Sequence, residues 1–406
     1  MSGTLLDDDV TAIREAATTL RSPQDLDPLV RRIGGARIVL LGASTHGTAE
    51  FHRWRAALTQ RLLAERGFSF VAVEGDWREC HGVHTCVAGA PGAPNDPGQA
   101  LWGFRRWPTW LWANEEVAEF AGRLRSFNAT GAGIPCGFHG LDVHGLSDSL
   151  RGILGYLRTH APSEGDAALR AFSCFEPSGG DGALVPADRR EEVVRRLIAA
   201  RSATRVPGLD LGFAEERNAE HHYRELLRGG ERARNVHAAH LADTLGRLLR
   251  AYGPRSRAVV WAHDAQIGGG AELSTLGRLV RERHAADGIV AVGFGTYRGS
   301  VAAADRWGGP VRRRAVERAR PESLEGVLHD ALPGEDSLHV FDERLRRSFE
   351  SREHRVTGVL RDGGYVPAAG YDAFVHCDET TAITPLHHWE PEEAPPFVPA
   401  QAYPGD

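Results

Sequence analysis

Two short apolar runs, Arg37–Gly42 (RIVLLG) and Phe70–Asp76 (FVAVEGD), bracket a stretch that reads as an amphipathic helix, and this spacing admits few folds. Neither run alternates apolar with polar residues, as a strand with one wet face would, so both read as strands buried on both sides. Between them, Phe51, Trp54, Leu58, Leu62 and Leu63 share one face of a helix that opens near Thr48 and runs to Arg66. Gly67 is placed to stop it as a C-cap. Strand, helix and strand in this order form a parallel, right-handed crossover. The expected fold class is therefore α/β, a central, mostly parallel sheet flanked by helices, with a helical subdomain.

The rest of the chain extends that frame. A Pro/Gly loop over 88–98 and a Trp-rich segment, LWGFRRWPTWLWANEEV, lead into a helix ending near Asn128. IPCGFHGLD (134–142) reads as a third strand, RAVVWAH (257–263) and IVAVGFG (289–295) as two more. Further short strands are expected around His339, over 356–360 and over 373–377. From about 150 to 252 the pattern is helical with polar linkers. This predicts residues 1–149 as the first half of an α/β core, with the catalytic strand ends, and 150–252 as a helical insertion. Residues 253–390 then form the second half of the core and 391–406 a Pro-rich tail.

Composition removes whole classes of function. All 48 basic residues are Arg, so the lysine of Schiff-base, pyridoxal-phosphate and P-loop chemistry is missing. The Arg residues are interleaved with acids and the net charge is −6, which argues against nucleic acid as a partner. With so much Arg, Ala and Gly, a GC-rich, actinobacterial type of genome is the expected source. No uncharged apolar stretch of ~18 residues exists, so no membrane span is expected. The acidic N-terminus lacks a signal pattern, giving a cytoplasmic expectation. Cys80, Cys86, Cys136, Cys174 and Cys377 are odd in number with no C-x-x-C pair, and read as reduced thiols.

Polar groups collect where strands end. The first strand delivers His46, the second Glu74 and Asp76, and RAVVWAHDAQ delivers His263, Asp264 and Gln266. Open α/β sheets form their sites outside the carboxyl ends of the strands. Two His and a Glu there, in a chain without lysine, point to acid/base chemistry. Asp142 and His144 follow the third strand, as site lining or as turn chemistry. Trp77, with Trp102, Trp107, Trp110 and Trp112, forms a wall for a bulky apolar substrate or a packing cluster. In Cys80-His81-x-x-His84-x-Cys86 only Cys80 and His84 share a helix face, so no metal is expected. His237 and His240 read as solvated or pocket-lining, and Arg312–Arg314 and Arg344–Arg347 as solvated helix faces.

The segments GASTHGTAEFHRWRAALTQRLLAERGFSFVAVEGDW, FRRWPTWLWANEEVAEFAGRLRSFNA, GLDVHG, VVWAHDAQIG, VGFGTYRGSVAAA and FVHCDETTAITPL resemble the erythromycin esterase family, in the family's order, from about 36 to 387. The resemblance implies a metal-independent hydrolase that opens macrolide lactones with His-activated water. It assigns His46 as general base, Arg55 and Glu74 as orienting groups and His263 as a second catalytic imidazole. Asp76, Trp77, Asp264, Gln266, Trp110 and Asp142 are expected to line the substrate site.

The departures fall on the strand ends. Ala43 stands where the family usually has Glu, and Asp264 and Gln266 where it usually has Asn and His. Asn235-Val236-His237-Ala238 replaces an N-L-R-D segment, and Gly268-Gly269-Gly270 replaces an acidic one. A water-activating His needs a partner that stabilises its imidazolium. Glu74 or Asp264 must take that role here; otherwise His46 titrates near ~6.5 as a weak base. A negative Asp264 is expected to favour protonated His263 and make it an acid. The reading is hydrolysis of an ester or lactone in a macrolide-like or other secondary metabolite. A cofactor-free lyase, isomerase or cyclase of natural-product biosynthesis is the alternative, ahead of an inactive binding protein. No cofactor is required; the partner is a small-molecule natural product, and the chain is a monomer or homodimer.

Overall fold

A computed structural model of the chain describes residues 10–105, 107–131, 134–142, 230–268, 274–306, 309–360 and 363–386. Its centre is a sheet built from β1 (Ala17–Thr19), β2 (Ile38–Ala43), β3 (Phe70–Asp76), β4 (Gly137–Asp142), β5 (Ala258–His263), β6 (Ile289–Ala303), β7 (Arg312–Val316), β8 (Ser337–Val340) and β11 (Ala373–Thr380). The strand order is β1-β8-β11-β6-β2-β5-β3-β4, with β7 paired to β6. The six strands from β11 to β4 run parallel, while β8, β1 and β7 pair antiparallel. A separate hairpin joins β9 (Glu353–Thr357) to β10 (Gly363–Pro367).

The unbroken apolar runs have a simple cause. Val39, Leu41, Val71 and Val73 pack into one core, while Ile38, Leu40, Phe70 and Ala72 pack into another on the opposite side. Successive side chains of a strand point to opposite faces, so a strand covered on both sides must be apolar throughout. Helix α1 (Ala49–Arg66) places Phe51, Leu58 and Leu62 in the first core. Helix α4 (Gly230–Ala251) places Leu241, Leu245 and Leu248 in the second. Helix α2 (Trp77–Val87) follows β3, and helix α3 (Glu115–Thr130) follows the Trp-rich segment. Helix α5 (Leu276–Arg283), helix α6 (Leu324–Ala331) and helix α7 (Glu343–Glu350) complete the elements used below. Gly67 ends α1 with φ 65°, in the left-handed region where a side chain is costly.

Several expectations shift. β6 continues eight residues past Gly295 to Ala303, because its second half gains a partner in β7. Arg312–Arg314 therefore lie on an antiparallel strand and not on a helix face. The strand expected over 356–360 is β9, displaced toward the N-terminus. The strand expected from Ile134 begins at Gly137, and Ile134 itself is 75% exposed. Of the helical stretch 150–252, residues 150–229 lie outside the described residues and 230–251 form α4. β3 and β5 are neighbours, so both predicted halves of the core share one sheet. No helix among the described residues is long and apolar enough to cross a membrane.

Candidate active site

The order β2-β5-β3-β4 brings the carboxyl ends bearing His46, His263, Glu74 and Asp142 side by side. His46 sits in the β2–α1 connection, which is held from three directions. The Ser44 N–H donates to Phe294 O at 3.0 Å, and the N–H groups of Ala302 (2.9 Å) and Ile383 (3.0 Å) donate to Gly47 O. A Cβ on Gly47 would lie 2.0 Å from Ala302 O, so only glycine lets the loop seat against β6.

Glu74 links the two imidazoles. Its Oε2 accepts the His263 backbone N–H at 2.8 Å and lies 3.9 Å from His46 Nε2. The His46 and His263 rings are 5.2 Å apart, tilted by 33°. All three residues are at most 4% exposed. The tautomer of His263 follows from its partners. A backbone N–H can only donate and a carbonyl only accept. The Ala265 N–H donates to His263 Nδ1 (3.1 Å), and Thr357 O faces Nε2 (3.3 Å), so the proton resides on Nε2. The same reasoning puts the proton of His52 on Nε2, which donates to His46 O at 3.1 Å. His52 Nδ1 then faces Arg55 Nη2 at 3.5 Å.

Burial sets the charge states. Desolvation holds His46 well below its ordinary pKa, helped by His263, Arg55 and His52. The same cause brings His263 down to about 4 and His52 to about 3. Both catalytic candidates are thus neutral at pH 7, and His46 is in its proton-accepting form. Arg55 is fully buried, with its guanidinium 5.1 Å from the Trp261 ring centre. Burial lowers it to about 9 against the opposing pull of Asp264 and Glu74. Its Nε and Nη1 have no hydrogen-bond partner among the described residues.

The expected influence of Asp264 on His263 is absent at neutral pH. Its carboxyl lies against Gly42, flanked by His354 Nδ1 at 3.8 Å and by Tyr371. Burial raises it to about 8, so it is uncharged at neutral pH and does not stabilise an imidazolium at His263. Gln266 is half-buried in the helical turn Asp264–Ile267. Asp76 caps α2, accepting the N–H groups of Arg78 and Glu79. Asp142, its register partner on β4, lies 2.8 Å from His237 Nε2 through Oδ2. Trp77 stacks on His139 with ring centres 5.9 Å apart, and Trp110 is buried in the first core.

Trp112 belongs more closely to the site than either. Its indole N–H donates to Glu74 O at 2.9 Å, and its ring meets His46 edge-on at 6.1 Å. A Cβ on Gly75 would lie 2.8 Å from the indole nitrogen, so glycine there lets the tryptophan in. Sequence reasoning placed Trp112 in the Trp cluster but not among site residues, and passed over His52, Thr357 and His354. Only His52 left a signal, lying three residues before Arg55 on one helix face. Among the described residues, no group of three or more His, Cys, Asp or Glu side chains is arranged to hold a metal ion.

A family model described as "Erythromycin esterase" matches residues 63–380, a span that includes Glu74 and His263 and begins after His46 and Arg55. Three solved structures share the fold at low identity. A succinoglycan biosynthesis protein aligns with a TM-score of 0.77 and 19% identity, covering 94% of this chain and 99% of that one. A protein from Bacillus cereus aligns with a TM-score of 0.76 and 15% identity, over 94% and 99% of the two chains. A mutant of erythromycin esterase EreC in its open conformation aligns with a TM-score of 0.65 and 14% identity, over 89% and 95%.

Proposed function

The chain belongs to the erythromycin esterase family, and from that premise we propose that it hydrolyses an ester or lactone of a macrolide-like or other secondary metabolite with His46-activated water. One observation carries this reading: a buried, neutral His46 whose Nε2 lies 3.9 Å from Glu74 Oε2. His46 takes a proton from water as the oxygen attacks the substrate carbonyl. The imidazolium so formed gains about 4 kcal/mol from Glu74 at that distance, taking an effective dielectric of about 20. Arg55, through His52, holds the His46 backbone in place. His263 carries its proton on Nε2 in a long, 3.3 Å contact with Thr357 O, which a developing oxyanion outcompetes as an acceptor.

A second reading rests on Ala43. This fully buried methyl pairs in register with His263, where the family usually has Glu. A site with one base, one donor and a missing carboxylate suits cofactor-free elimination, isomerisation or cyclisation. Mass spectrometry on macrolides and simpler lactones, incubated with wild type and His46→Ala, separates the two. A gain of one water (~18 Da) that vanishes in the variant is the expected result. A product of unchanged or lower mass would overturn hydrolysis in favour of the second reading.

A further inference from the structure

We propose that Asp264, His354 and Glu325 form a buried positioning cluster that holds β9 against His263 and thereby fixes that imidazole's tautomer and orientation. The inference rests on the reading of His263 as a functional imidazole for its consequence in catalysis, but not for its geometry.

The cluster occupies space that the sheet leaves open. A Cβ on Gly42 of β2 would lie 2.1 Å from Asp264 Oδ1, and one on Gly295 of β6 would lie 3.0 Å from Glu325 Oε1. His354 stands between the two carboxyls, its Nδ1 3.8 Å from Asp264 Oδ2 and 4.0 Å from Glu325 Oε1. All three residues are at most 2% exposed. Each joins a different part of the site. Asp264 is covalently next to His263. Glu325 lies on α6, and its Oε1 accepts the Arg355 N–H at 2.9 Å. His354 lies on β9, the strand whose far end delivers Thr357. That residue donates its N–H to Ser44 O and offers its carbonyl to His263 Nε2 at 3.3 Å. One five-residue strand is thus anchored on the cluster at its start and on both catalytic strand ends at its finish.

The packing favours the uncharged forms of both carboxyls, so the cluster gains its negative charge only as pH rises through about 7 to 8. Asp264 faces His354, Tyr371 and Glu325, with Arg55 acting at longer range, and burial raises it to about 8. Glu325 faces His354, Ser323 and the Arg355 backbone, with the Arg355 guanidinium adding charge, and burial raises it to about 7. The Arg355 guanidinium itself bonds to the carbonyls of Glu317, Thr296 and Tyr297. Burial lowers His354 to about 3. Two anions created across His354 would push the cluster apart and loosen β9.

The test reads His263 by nitrogen NMR of histidine-labelled protein, with the signal assigned by its loss in His263→Asn. The expected wild-type ring carries its proton on Nε2, and His354→Ala, or the milder His354→Gln should that variant not fold, speeds exchange of this proton with water at least 10-fold. Neutral replacements Asp264→Asn and Glu325→Gln keep the wild-type signal. In wild type the signal is lost as pH rises through about 7 to 8, whereas in the double neutral variant it persists. An unchanged His263 signal in both His354 variants, or the same alkaline loss in the double neutral variant, would overturn the proposal. So would a stoichiometric divalent cation in purified wild type, which would make the carboxyls ligands. If hydrolysis is found, His354→Gln lowers kcat about 10-fold with KM unchanged. Absence of hydrolysis with the NMR results intact would refute the proposed function and leave the positioning cluster standing.

Discussion

Gly42→Ala is the substitution whose cost the structure defines most sharply. Gly42 is the penultimate residue of β2, and its backbone is ordinary; space alone demands glycine there. The new methyl would lie 2.1 Å from Asp264 Oδ1 and 3.3 Å from Ile267 Cβ. Relief requires the carboxyl to retreat by roughly 1 Å, toward His354, Glu325 and Tyr371, in a core where side chains are close-packed. Overpacking of this kind costs about 1–3 kcal/mol. Equilibrium denaturation reads it as a lower midpoint at unchanged slope. If the Asp264 carboxyl is the obstacle, Asp264→Ala removes the clash, and a double-mutant cycle returns a coupling of about 1–2 kcal/mol favouring the pair. A Gly42→Ala cost below about 0.5 kcal/mol, or additivity of the two changes within that margin, would refute the steric argument.

Other perturbations address the remaining parts of the site. Trp112→Phe keeps a ring beside His46 but removes the indole donor to Glu74 O; stability should fall by about 1–3 kcal/mol, and an unchanged denaturation midpoint would contradict this. Glu74→Gln retains an acceptor for the His263 N–H but removes the charge facing His46, so hydrolytic turnover should fall between roughly 10²- and 10³-fold, with less than 10-fold loss excluding Glu74 as the imidazolium's partner. Burial lowers His263 to about 4 and His52, His339 and His354 to about 3. The unfolded chain therefore binds protons below about 6.5 that the fold refuses, and stability falls as pH drops from there toward 4. Asp264 and Glu325, raised by burial, slope the other way but are fewer. Unfolding at pH 5 should take up more than one proton, and a flat stability profile from pH 6.5 to 5 would show these histidines are not buried neutral.

The parallel sheet was legible because its cause is local. A strand covered on both faces is apolar at every position, as Ile38–Leu41 and Phe70–Val73 are, and such runs separated by a helical period leave one kind of connection. His46, Glu74 and His263 were legible too, since polar residues closing such runs fall at one edge of the sheet. Their chemical states were not. Asp264 sits beside His263 in sequence and was expected to charge it; a side chain's ionisation depends on what buries it, and here Gly42, His354 and Tyr371 come from three distant segments. Thr357, which selects the His263 tautomer, lies on a hairpin whose role no periodicity announces, and Trp112 reached Glu74 only because Gly75 made room. Sequence by itself thus determined which strand-end residues share one edge of the sheet, through hydrophobic patterning and strand direction. Tertiary packing alone decided which of them carry protons and where those protons point, because desolvation and hydrogen-bond geometry are properties of the assembled neighbourhood.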